Sequence, residues 1–123
     1  MGAPQWSRLE RLAEREVRKG IHVRILAGER LMFSFIRFQS HSTVPVHQHP
    51  HEQIGIVLEG ELEMWISGER RMLRKGDAYA IPPNVPHSGK TKDTACLVAD
   101  AFHPLREDYI KLFAAHGPTS THS

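Results

Sequence analysis

Apolar positions along this chain follow two periods, and the change falls at Gly20. From Gln5 to Lys19 the apolar residues Trp6, Leu9, Leu12, Ala13 and Val17 recur near helical spacing, with charges between them. Ser7 with Glu10 three residues on has the pattern of a helix start, and Gly20 that of a stop. This predicts an N-terminal helical extension within residues 1–19. From Ile21 the period falls to two. IHVRILA (21–27) alternates, Gly28-Glu29 turns, and RLMFSFIRF (30–38) is dense in aromatic and branched residues. That second run is apolar on both parities, with Leu31, Phe33 and Phe35 on one and Met32, Ile36 and Phe38 on the other. One side therefore faces a core and the other needs cover, from a helix or a second subunit, and a homodimer is the expectation.

The remaining chain reads as more strands joined by glycine-centred turns. After the loop QSHSTVP comes an extended stretch, PVHQHPHEQIGIVLEG (45–60), with a turn expected at Glu59-Gly60. In ELEMWIS (61–67) Leu62, Met64 and Ile66 face one way and Glu61, Glu63 and Trp65 the other. Turns follow at Gly68-Glu69 and Gly76-Asp77, then a strand at AYAI. PPNVPH cannot be a central strand, because Pro82, Pro83 and Pro86 lack ladder amides. It reads as a stiff loop presenting His87. A last strand runs over 94–102, a short helix over 104–113 with Pro104 in its first turn, and 116–123 reads as a disordered tail. Turns at this spacing describe an antiparallel all-β sandwich or barrel.

Length and composition narrow the classes. With 123 residues the chain fits one domain, and 40% hydrophobic against 24% charged residues allows a real core. A net charge of +2 is too balanced to argue for nucleic acid or an anionic membrane surface. No charged-then-apolar leader and no apolar run near the ~20 residues of a membrane span is visible, so a cytoplasmic protein is expected. The single cysteine, Cys96, lies in the apolar run TACLVADAF and reads as a buried, inert thiol.

The chemistry concentrates in 45–60. On an extended strand His47, His49 and Gln53 share parity and can converge, while Glu52 points away. His87 is a fourth candidate from the proline-rich loop. Neutral imidazoles around one point suit a borderline divalent metal: Zn, Ni, Fe or Mn. Asp100 and Phe102 share parity on the last strand and can face the same interior. Asp100 there is either a general acid or base or one half of a salt bridge to an arginine. Phe102 is core or cavity wall. Arg106 either pairs with a substrate carboxylate or lies on the surface beside Glu107 and Asp108.

The spacing of these residues resembles the two motifs of the cupin superfamily. The first matches at His47, His49, Gln53 and Gly60, the second at Gly76, Pro82 and His87. The resemblance implies a cupin β-barrel (a double-stranded β-helix, or jelly roll) over 20–115, ending in the short C-terminal helix. Such barrels host dioxygenases, isomerases and plain binding proteins, so the fold alone does not name a function. Gln53 stands where that family usually has a glutamate. Sliding the register to use Glu52 would turn every later side chain to the wrong face. A neutral amide ligand leaves the charge of the ion uncompensated, which favours Lewis-acid chemistry on an anion over oxygen chemistry.

A closer resemblance is to the KdgF group of pectin-degradation cupins, through HQHPHEQIGIVLEGELE, RKGDAYAIPPNVPH and DAFHPLREDYI. It implies a metal held by His47, His49, Gln53 and His87, and a cavity lined by Asp100, Phe102 and Arg106. It further implies a small acidic substrate, 4,5-unsaturated uronate, converted to its linear 4-deoxy-5-keto form by a metal-dependent isomerase, with Asp100 and Arg106 as catalytic residues. Two other expectations stand beside it: a metal-dependent dioxygenase acting on a small aromatic or thiol compound, and a non-catalytic metal- or ligand-binding module. The N-terminal segment, single and charge-balanced, is not expected to bind DNA, which weighs against a regulator's sensor module.

Overall fold

The computed structural model describes residues 2–115. Nine strands and one helix follow in order: β1 (Arg15–Arg18), β2 (Ile21–Ala27), β3 (Met32–Phe38), β4 (Thr43–His47), β5 (Glu52–Ile66), β6 (Glu69–Arg74), β7 (Ala78–Ile81), β8 (His87–Lys90), β9 (Cys96–His103) and α1 (Glu107–Ala115). All pairings are antiparallel, in the order β1-β2-β3-β9-β5-β8-β4, with β6 and β7 also on β5. The sheet curls on itself, and the inward residues Ile21, Phe38, Val57, Leu62, Met64, Cys96 and Val98 pack together inside it. Burial pushes the Cys96 thiol up to about 11, as suits an inert core residue.

The long strand β5 organises this arrangement. Its first half pairs with β7 and β9, its second half with β6 and β8. Glu59-Gly60 was expected to turn the chain, yet the strand runs straight through. A bulge between Val57 and Glu59 shifts the register against β9. The inward parity therefore changes from Gln53 and Val57 to Leu62 and Met64. Gly60 accommodates this shift. Its φ of 80° lies in the left-handed region, and a Cβ there would overlap the Ala95 carbonyl oxygen.

Two further expectations are corrected. The N-terminal extension is not a helix: Leu9–Arg11 make a single 3₁₀ turn, and Arg15–Arg18 form β1, hydrogen-bonded to β2. None of Trp6, Leu9, Leu12, Ala13 and Val17 is buried, and Trp6 is 93% exposed. The free edge of β2 instead offered unpaired backbone groups, and pairing satisfies them. The C-terminal helix begins at Glu107, leaving Pro104 and Arg106 in the preceding loop. The tail over 116–123 lies outside the described residues. Among the described residues no helix is long and apolar enough to cross a membrane.

Candidate metal centre and cavity

His47 ends β4 and stands opposite His87, the first residue of β8. His49 lies in the short link to β5, and Gln53 follows on β5 itself. Each imidazole is held from behind by a backbone carbonyl. His47 Nδ1 lies 2.9 Å from the Pro45 oxygen, His49 Nδ1 3.1 Å from that of His51, and His87 Nδ1 2.8 Å from that of Val85. Each Nδ1–H donates outward, so each Nε2 keeps a lone pair. One ring nitrogen from each residue lies within 4.8 Å of the other two.

The charge state agrees with this geometry. Burial, with the positive charge of Arg106 and the neighbouring histidines, holds His49 down at about 4. Burial likewise lowers His87, whose bond to Val85 acts the other way. Both imidazoles are neutral at pH 7. His87 Nε2 is buried and has no hydrogen-bond partner. Gln53, 6% exposed, places its Oε1 3.2 Å from His49 Nε2. Two electron-pair donors facing each other at that distance suit a cation between them. Three imidazole nitrogens and an amide oxygen thus fit a divalent transition ion. Glu52 is exposed on the outer side. His51 contributes its carbonyl, with its ring 5.3 Å from that of His49.

The cluster opens on a cavity of about 310 Å³ that reaches down to Leu62, Met64 and Val98. Asp100 and Phe102, each 1% exposed, project into it from β9. Asp100 accepts a hydrogen bond of 2.5 Å from the Tyr79 hydroxyl. It makes no salt bridge among the described residues. Burial raises its carboxyl to about 6, against the opposing pull of Tyr79, Gln53 and Arg106. Gln53 thereby stands between both centres, its oxygen 3.2 Å from His49 Nε2 and its side chain near enough to Asp100 to favour the carboxylate. A glutamate there would set a second carboxylate against Asp100.

Arg106 is not a surface residue: its side chain is only 13% exposed. Its backbone N–H meets Met32 Sδ. Its guanidinium carbon lies 5.0 Å from the Phe102 ring centre and 4.0 Å from that of Tyr109. Asp108 grips the Nε–Nη2 edge at 3.2 and 2.6 Å, which leaves the Nη1 side for another anion. Six of the seven residues singled out in the sequence thus line one cavity, and His49 joins them through the imidazole cluster. Tyr79, Asp108 and Tyr109 were not singled out. Tyr79 had a visible signal, since alternation in AYAI turns it inward with Ile81; the other two depend on where α1 lands.

The family model described as a cupin domain matches residues 34–99, more than half of the chain. The chain is a cupin. Within that family it is KdgF-like. It is 32% identical over 97 residues to the pectin degradation protein KdgF of Dickeya dadantii (strain 3937), covering 77% of this chain and 88% of that protein. The structure of KdgF from a Halomonas species superposes on this cupin with a TM-score of 0.82 at 31% identity, over 87% of this chain and 99% of the other. An RmlC-like cupin from Shewanella frigidimarina NCIMB 400 superposes with a TM-score of 0.81 at 30% identity, over 87% and 96%.

Proposed function

We propose that this cupin is a metal-dependent isomerase that converts a 4,5-unsaturated uronate to the linear 4-deoxy-5-keto form in the cytoplasm. One observation carries the reading: a buried carboxyl with a raised pKa, Asp100, shares a small cavity with neutral imidazoles and a half-engaged arginine. The likeness to two KdgF proteins supports the substrate class. In this reading His47, His49, Gln53 and His87 hold the ion, which when bound supplies a Lewis acid for the substrate oxygens. Arg106, kept planar between Phe102 and Tyr109, takes the substrate carboxylate on its Nη1 side. Phe102 closes the cavity against water. Asp100, poised near neutrality, moves a proton at the enol carbon as the opened ring becomes the ketone. The change is an isomerisation: atoms and electrons balance with no oxidant.

An ultraviolet time course with unsaturated galacturonate tests this, because ring opening and ketonisation remove the absorbing double bond. Metal-loaded protein is expected to bleach the signal and chelator-treated protein to leave it. A flat trace with metal bound would remove the substrate claim, and oxygen uptake with a small aromatic substrate would replace it with the dioxygenase reading.

We also propose that the protein acts as a homodimer. The ladder sets Phe33, Ala101, Ile54 and Ala80 side by side on the outer sheet face, with Phe35, Ala99, Ile56 and Ala78 in the next row. Phe33 is 47% and Ile54 53% exposed, an apolar surface of the kind that a second subunit covers. Light scattering should give twice the 14.0 kDa of one chain, and the double variant Phe33→Glu, Ile54→Lys one chain's mass. A monomeric wild type would end this proposal.

A further inference from the structure

Tyr79 has no part in the chemistry so far, yet the fold takes particular trouble to bring it to Asp100. Tyr79 on β7 stands opposite Gly55 on β5, and Gly55 stands opposite Asp100 on β9. The three residues form one row across three strands, and the outer two side chains meet above the middle one. That meeting requires glycine for reasons of space. A Cβ at Gly55 would overlap Asp100 Oδ1 and lie 2.5 Å from the Tyr79 ring and hydroxyl. The resulting bond of 2.5 Å is at the short end for a hydroxyl on a carboxylate.

The direction of this bond has a chemical consequence. Burial and the adjacent carboxylate keep the Tyr79 phenol well above its usual range, so Tyr79 remains the donor and Asp100 the acceptor. A carboxyl group has two oxygens, and the torsion that exchanges them is soft. Left alone, Asp100 could take up its proton on either oxygen and in either orientation. With the Tyr79 hydroxyl already donating to Oδ1, a proton on that oxygen would compete with the bond, which makes Oδ2 the better site for a proton of its own. We propose that Tyr79 is a positioning residue, which reserves Oδ1 of Asp100 and so commits Oδ2 to the proton exchanged with substrate. The kinetic part of this proposal rests on the isomerase reading above; the Tyr79–Asp100 bond does not.

Tyr79→Phe keeps the ring and removes the hydroxyl. In metal-loaded protein kcat should fall about 10–100-fold, the size of effect that misplacing a reacting group by about an ångström produces. KM should stay within about twofold and the bound metal unchanged, because Tyr79 holds neither substrate nor ion. Gly55→Ala should reproduce the kcat loss without altering either partner. Adding Tyr79→Phe to it should then cost little more, as for two changes that break one interaction. A kcat within about twofold of wild type in Tyr79→Phe would overturn the proposal. So would a loss as large as that of Asp100→Ala, which would make Tyr79 a proton carrier itself.

A substrate-free measurement separates the two readings. The Tyr79 hydroxyl proton should give a far-downfield proton resonance in the wild type that is missing from both Tyr79→Phe and Asp100→Ala. Its absence from folded wild type would overturn the bond, whatever the enzyme turns over. Its presence in a protein that leaves unsaturated uronate untouched would end the isomerase reading and the proton-carrying role together, while establishing the pair.

Discussion

Asp100→Asn is expected to lose about 10²–10⁴ in kcat, the usual contribution of a positioned acid or base, while keeping its metal and gaining stability at neutral pH. The gain follows from the direction in which the fold moves this carboxyl. Asp100 is raised from an ordinary 3.8 to about 6, so the folded protein favours the protonated form. That contribution is fully present below the unfolded value and is lost as pH rises through the folded one. By pH 7 the loss amounts to about 3 kcal/mol, since each tenfold change in proton affinity is worth about 1.36 kcal/mol. His49, lowered from 6.5 to about 4, works in the opposite sense: its contribution grows as pH rises across the same range. The wild-type pH profile therefore mixes both, and the comparison with Asp100→Asn isolates the acid. Denaturant melts of chelated wild type and variant at pH 4 and pH 7 make the test. The variant's advantage should widen with pH; an advantage that is equal at both values would mean that Asp100 bears no ionisation cost.

His87→Ala should abolish metal binding and, with it, turnover. His87 is the most buried of the three imidazoles, at 4% exposed, and its Nε2 has no protein partner to keep it satisfied. Removing it takes away one of four candidate ligands, so the affinity loss should exceed the ~10–100-fold that disturbing an outer partner of a ligand costs. Without metal the variant should be no less stable than wild type on account of that nitrogen, because a desolvated polar atom has been removed. With metal the two should diverge. Wild type gains about 2.7 kcal/mol when free ion stands at a hundred times its dissociation constant, and the variant gains nothing. Thermal melts with and without added ion, beside elemental analysis, check both halves. A variant that still melts higher with ion would move the metal elsewhere.

Much of this site could be read from alternation alone. Period two on β5 and β9 is enough to put Gln53 inside and Glu52 outside, and to send Asp100 and Phe102 into one interior, because burial on one face forbids a slipped register. The N-terminal segment failed for the converse reason. Five apolar residues at helical spacing predict a helix only if a surface awaits them, and the open edge of β2 is a fact of three dimensions. Gly60 was misread because a turn and a bulge ask the same thing of a residue, a positive φ without a side chain. Tyr79 lay between. Its inward direction was visible, but that it meets Asp100 depends on β7 and β9 flanking the same stretch of β5. The clamp on Arg106 depends on α1 folding back over the loop, which no local pattern states.

The continuity of β5 bears on how this molecule opens. A single unbroken strand is hydrogen-bonded to β6, β7, β8 and β9, so the two ends of the barrel have no seam along which to part. Amide protons on β5 should exchange with solvent only when the whole barrel comes undone, whereas those of β1, on the outer edge, can exchange by local fraying. Gln53 rides on that slowest element. The link between the imidazole cluster and Asp100 is thus anchored where the native state fluctuates least, and any looseness that substrate entry needs must come from the loops and α1 above it.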